Sequence, residues 1–167
     1  MDLLVNGDGT ALWNGRSLRC AIGRNGISAA KREGDGATPA GRLPMRFLMY
    51  RPDRLAPPPT GLPLRPIARD DGWCDAATDQ GYNSLICLPY SAHAEALWRA
   101  DELYDLVVPL GYNDLPVIAG MGSAIFLHLA SADFAPTAGC VALAKPDLLA
   151  VLADADQESC VVTRAPS

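Results

Sequence analysis

Short apolar runs separated by turn dipeptides occupy the first 23 residues of the chain: Leu3-Leu4-Val5, Ala11-Leu12-Trp13, and Leu18 to Ile22. Asn6-Gly7, Asp8-Gly9 and Asn14-Gly15 punctuate them, and Asn25-Gly26 closes the third run, so residues 2–23 are predicted to form a β-meander. A glycine-rich loop, Lys31-Arg32-Glu33-Gly34-Asp35-Gly36-Ala37-Thr38-Pro39-Ala40-Gly41, leads to a strand near 43–50. The stretch 52–66 carries six prolines, which excludes regular structure over most of its length. Residues 52–85 therefore read as a long surface excursion, anchored by Trp73 and Tyr82.

Beyond it, Ser91 is placed to cap a helix over 92–102, with Leu97 and Trp98 facing inward. Apolar runs predict buried strands near 104–110 and 123–130. Pro146 suits the first turn of a helix over 146–154, and a last strand covers 159–164. No repeat or low-complexity tract interrupts the chain, which reads as one domain over 1–167.

Composition sharpens this reading. Apolar residues make up 49% of 167, enough for a proper core, and 15 glycines with 14 prolines favour a loop-rich β or α+β protein over a helical bundle. The formal net charge of -5 and the absence of a basic face make nucleic acid and anionic membranes poor partners. The N-terminus lacks the basic start and apolar core of a secretory signal, and no apolar run approaches a spanning helix, so a cytoplasmic location is expected.

Five cysteines (20, 74, 87, 140 and 160) form an odd set without a C-x-x-C pair. With only His93 and His128 beside them, no metal site is expected, and free thiols fit a reducing compartment. Cys20, Cys87 and Cys160 read as buried small hydrophobes, Cys74 as a weaker alternative thiol, and His93 as surface. Cys140 differs because His128 lies twelve residues upstream on a predicted strand and Gly139 precedes it on a turn. An imidazole that takes the proton of a thiol makes it a nucleophile. The N–H of Gly139 or Cys140 is then placed to face a developing oxyanion.

Two blocks carry a resemblance to a known family. Glu33-Gly34-Asp35-Gly36-Ala37-Thr38-Pro39-Ala40-Gly41 resembles the T-P-x-G segment of the L,D-transpeptidase catalytic domain. His128 followed by Thr137-Ala138-Gly139-Cys140 resembles its histidine and Gly-Cys signature. Gly111-Tyr112-Asn113-Asp114 and the run from Gly122 to His128 resemble a compact, often signal-less branch. Ala138 stands where most members carry histidine, Ala142 where they carry a polar residue, and the His-to-Cys spacing is short; these are read as branch features.

The resemblance implies a mainly β (α+β) fold of mixed β-sheets in a sandwich-like arrangement with a few short helices, and attack by Cys140 on a carbonyl of a peptidoglycan stem peptide. His128 is the implied base, oriented by the Leu129 carbonyl, with Asp133 given little weight. Lys31 and Arg32 are candidates for contacts to substrate carboxylates, although a solvated turn is the plainer reading. Tyr112, Asn113 and Thr137 are candidates to line the cleft. Expected partners are stem peptides or muropeptides, with carbapenems as covalent inhibitors and no cofactor. The leading activity is a cytoplasmic L,D-carboxypeptidase of murein recycling. A 3→3 cross-linking transpeptidase and a non-catalytic muropeptide binder are the alternatives.

Overall fold

Asn14 and Gly15, both at positive φ, form the tight turn that joins β2 (Thr10–Trp13) to β3 (Arg16–Ala21), with β1 (Asp2–Val5) on the other side of β2. The computed structural model, which describes residues 1–165, thus contains the expected meander. The remaining elements follow in chain order. They are β4 (Ile27–Ser28), β5 (Thr38–Pro39), β6 (Gly41–Pro44), β7 (Leu48–Tyr50), β8 (Leu64–Pro66), β9 (Asp71–Cys74), β10 (Leu85–Cys87) and β11 (Ala94–Ala96). Then come β12 (Leu106–Pro109), β13 (Phe126–Leu129), β14 (Val141–Leu143), α1 (Lys145–Asp154) and β15 (Cys160–Thr163).

Ten strands form one mixed sheet in the order β6-β15-β1-β2-β3-β14-β13-β12-β7-β8. A three-stranded sheet, β10-β9-β11, and a short β4-β5 pair complete a mainly β fold. The large sheet curls until its distant members meet: Met45 bridges Leu110, and Gly111 N–H reaches the Pro44 carbonyl at 2.8 Å.

The central strands are buried on both faces, as near-continuous apolar sequence requires. Alternate residues divide between two cores. Leu48, Leu106, Val108, Leu127, Leu129, Val141 and Leu143 enter the larger core, where α1 contributes Leu148, Val151 and Leu152. Met49, Val107, Phe126 and Cys140 face the smaller core with Trp73, Leu97 and Tyr104. Each large apolar side chain fully buried in this way contributes about 1.5–3 kcal/mol. The second face is only partly covered, and the uncovered part becomes a cavity.

Several expectations need correction. No helix spans 92–102; β11 pairs there with β9, Ala94 opposite Cys74 and Ala96 opposite Gly72. Cross-strand pairing overrides the local helical pattern. Leu97 is fully buried, but Trp98 is only partly so and lies beneath the Arg51 guanidinium at 3.9 Å. The strand near 43–50 is two strands, β6 at one end of the large sheet and β7 near the other. The stretch 52–85 is no plain excursion, since it supplies β8 and β9, although Trp73 and Tyr82 are buried as anchors. Cys87 is exposed and its thiol donates to Asp70 at 2.9 Å; Cys20 and Cys160 are buried.

Candidate active site

β13 and β14 run parallel with Leu127 opposite Val141 and His128 opposite Ala142. Strand alternation therefore puts Phe126, His128, Cys140 and Ala142 on one face. Ala142 is small, so space remains across the sheet from the imidazole. Cys140, His128 and Ala142 line one cavity of about 480 Å³.

The cysteine is presented by a strained turn. Gly139 has φ 149, and a Cβ there would stand 2.9 Å from the Ala37 carbonyl oxygen. Only glycine accommodates both conditions. The Thr137 hydroxyl ties the turn together: it donates to the Cys140 carbonyl at 2.6 Å and accepts from the Gly139 N–H at 3.1 Å. Gly139 N–H is thus committed to Thr137, which removes it as an oxyanion donor. The Cys140 N–H has no acceptor among the described residues, so of the two it is the one free to meet an oxyanion.

The Cys140 sulfur accepts from the Phe126 N–H at 3.3 Å and its thiol donates to the Ala124 carbonyl at 3.2 Å. Burial pushes the thiol up to about 12, with the Glu95 charge adding to the rise and the Phe126 N–H opposing it. His128 is 5% exposed, and burial pulls its imidazole down to about 4. Its Nδ1 lies 2.8 Å from the Leu129 carbonyl, which can only accept, so Nδ1 carries the proton and Nε2 is the basic nitrogen. Among the described residues no hydrogen bond joins His128 to Cys140. At neutral pH the site therefore holds a neutral thiol and a neutral imidazole, ready for proton transfer during attack rather than a preformed ion pair.

The Tyr104 ring stands edge-on to His128 at 5.1 Å and 75°, holding the imidazole from the side. Arg99 lies over the Tyr104 ring at 5.0 Å. Neither Tyr104 nor the cavity residues Glu95, Asp75, Glu33 and Ser123 were expected from the sequence. Glu95 lay inside the stretch read as helix, where its side chain had no assigned direction.

The other sequence candidates divide. Thr137 and Lys31 line the cavity. Lys31 is no solvated turn residue: it is 4% exposed and its ammonium donates to Asp35 and to the Arg32 carbonyl, each at 2.6 Å. Arg32 is exposed and turned toward the Lys31 carbonyl and the Met121 sulfur, away from the cavity wall. Tyr112 and Asn113 do not line the cleft either. Tyr112 donates its hydroxyl to Met121, and Asn113, at φ 48, ties Ile118 and Gly122 into the same loop. Asn suits that backbone conformation, which accounts for its place there. Asp133 bonds within its own loop to Ser131 and Ala135. Cys74 is fully buried, with Asp79 as its neighbour.

A cysteine on a glycine turn and a strand-borne histidine thus share one cavity on a curled mixed sheet. Residues 3–162 match the YkuD family, the L,D-transpeptidase catalytic domain, and the chain belongs to that family. It is thereby a peptidoglycan L,D-transpeptidase-type cysteine enzyme. No curated protein and no solved structure gives a significant match to the chain.

Proposed function

We propose that the protein is a cytoplasmic L,D-carboxypeptidase that releases the terminal D-alanine of peptidoglycan stem tetrapeptides. The observation that carries this reading is the shared cavity wall of Cys140 and His128 in a chain of this family. As the carbonyl carbon approaches, Nε2 of His128 takes the thiol proton and the Cys140 sulfur forms a bond to that carbon. The tetrahedral oxyanion is met by the Cys140 N–H. Collapse expels the D-residue amine, which takes its proton from His128 and leaves a thioester on Cys140. Water, deprotonated by the same imidazole, then hydrolyses the thioester.

Hydrolysis is favoured over cross-linking by Ala138 and Ala142, both of which line the cavity. Neither supplies a polar group to hold an amine acceptor, whereas water needs little positioning. Five free cysteines suit a reducing compartment, which supports the cytoplasmic assignment. Carbapenems, as acylating analogues, are expected to trap Cys140. The test is mass spectrometry of a tetrapeptide muropeptide incubated with purified protein. Tripeptide and free D-alanine support the carboxypeptidase, 3→3 dimers support the transpeptidase, and binding without any product supports a non-catalytic binder.

A further inference from the structure

Residues 124–126 bring two backbone groups to the Cys140 sulfur, the Ala124 carbonyl at 3.2 Å and the Phe126 N–H at 3.3 Å. That approach requires an unusual backbone. Ala124 has φ 52, in the left-handed region that a residue with a Cβ rarely adopts. Such a conformation persists where the surroundings impose it.

Asn83 imposes it. This residue lies between β9 and β10, is 8% exposed, and bonds its own N–H to the Cys74 carbonyl at 2.8 Å. Its Oδ1 accepts from the Ala124 N–H and from the Trp73 indole N–H, each at 3.0 Å. Its Nδ2 donates to the Tyr112 and Asn113 carbonyls at 3.0 and 2.8 Å. Two N–H groups on one side and two carbonyls on the other fix the orientation of the amide, because a flip would set like against like. Asn83 lies outside the cavity wall, so its route to Cys140 runs through the Ala124 peptide.

We propose that Asn83 is a positioning residue for Cys140: its carboxamide holds Ala124 in the left-handed conformation and so aims the Ala124 carbonyl at the sulfur. The proposal rests on Cys140 as the nucleophile and deepens that reading by tracing what holds the resting thiol. With the anchor in place, a carbonyl engages the thiol hydrogen and the sulfur keeps one direction beside Phe126. Without it, Ala124 relaxes toward negative φ and its carbonyl turns away. The sulfur then keeps only the Phe126 N–H, a partner that favours the thiolate. Loss of Asn83 therefore makes Cys140 more reactive toward a small alkylating agent, while turnover falls because the sulfur has lost its direction.

The test uses the full chain in a Cys87→Ser background and follows iodoacetamide alkylation at pH 8 by peptide mass spectrometry. Asn83→Gly removes the carboxamide while tolerating the φ of 55 at that position. Alkylation of Cys140 is expected to rise roughly 5-fold or more, the worth of one hydrogen bond. The buried thiols Cys20 and Cys74 report general loosening and are expected to stay slow. Asn83→Asp keeps an acceptor for the Ala124 N–H but loses both Nδ2 donors. Its melting temperature is expected to fall while Cys140 alkylation stays within about 2-fold of the parent. A second measurement needs no variant: the Ala124 amide of the unsubstituted chain is expected to resist hydrogen exchange. Unprotected exchange at Ala124, an unchanged Cys140 rate in Asn83→Gly, a rise shared with Cys20 and Cys74, or an equal rise in Asn83→Asp overturns the proposal. None of these readouts involves a peptide substrate, so the acyl-transfer reading then still stands; that reading fails separately if no acyl adduct forms on Cys140.

Discussion

The Phe126 N–H donates to the Cys140 sulfur at 3.3 Å, and the thiol passes its own hydrogen to the Ala124 carbonyl at 3.2 Å. The sulfur is therefore oriented by backbone on two sides before substrate arrives. The Ala124 carbonyl favours the protonated form, because it accepts from the thiol and repels a thiolate, while the Phe126 N–H pulls the other way. In the proposed mechanism the reactive state is made during the reaction, with His128 as the proton acceptor.

That resting state has a reactivity signature. In a Cys87→Ser background, which removes the exposed thiol, alkylation of Cys140 by iodoacetamide is expected to keep rising beyond pH 9. Its thiol is pushed up to about 12, mainly by burial. Peptide mass spectrometry of the Cys140 fragment across pH reads this directly. A plateau already reached near pH 7 would show a thiolate–imidazolium pair instead.

Stability carries a second signature. The unfolded chain protonates His128 near 6.5, whereas burial holds the folded imidazole down to about 4. The stabilising contribution is complete above 6.5 and is lost as pH falls toward 4, on the order of 3 kcal/mol at most. Urea melts at pH 7, 5.5 and 4.5 are expected to show this decline in the wild type and a shallower one in His128→Asn. Parallel declines in the two proteins would assign it to other groups.

Gly139→Ala tests the turn. A left-handed φ and the Ala37 carbonyl at 2.9 Å together are expected to cost about 1–3 kcal/mol and to displace the sulfur. Thermal melting should drop by several degrees, with loss of activity beyond what stability explains. A wild-type melting temperature would contradict the geometry.

Thr137 is expected to behave as a clamp. Thr137→Val removes two hydrogen bonds across the turn, about 1–3 kcal/mol, while Thr137→Ser keeps the hydroxyl and should restore both stability and turnover. Failure of the serine variant to rescue would place the role in the methyl group.

Much of this was legible in the chain. The meander followed from Asn-Gly and Asp-Gly turns, and α1 from Pro146, because those signals are local. His128 and Cys140 could be paired because strand alternation and a Gly-Cys turn are local too. What escaped depends on distant partners. The segment around Glu95 has a helical pattern, yet β9 recruits it as a strand, and only that pairing turns Glu95 toward the cavity beside Tyr104. Arg32, Tyr112 and Asn113 looked like cleft residues because of their place near motifs. Their side chains instead bind the loop that contains Met121. The commitment of Gly139 N–H to Thr137 was equally invisible, since a side-chain clamp leaves no periodic trace.

Intact-protein mass spectrometry after brief mixing with a stem tetrapeptide, or with a carbapenem as a slower acyl donor, is the most direct test of Cys140 as nucleophile. The wild type should gain the mass of one acyl group, mapped to the peptide containing Cys140, and Cys140→Ala should gain none. An adduct of equal yield in Cys140→Ala, or one mapped to Cys74 or Cys87, would contradict it.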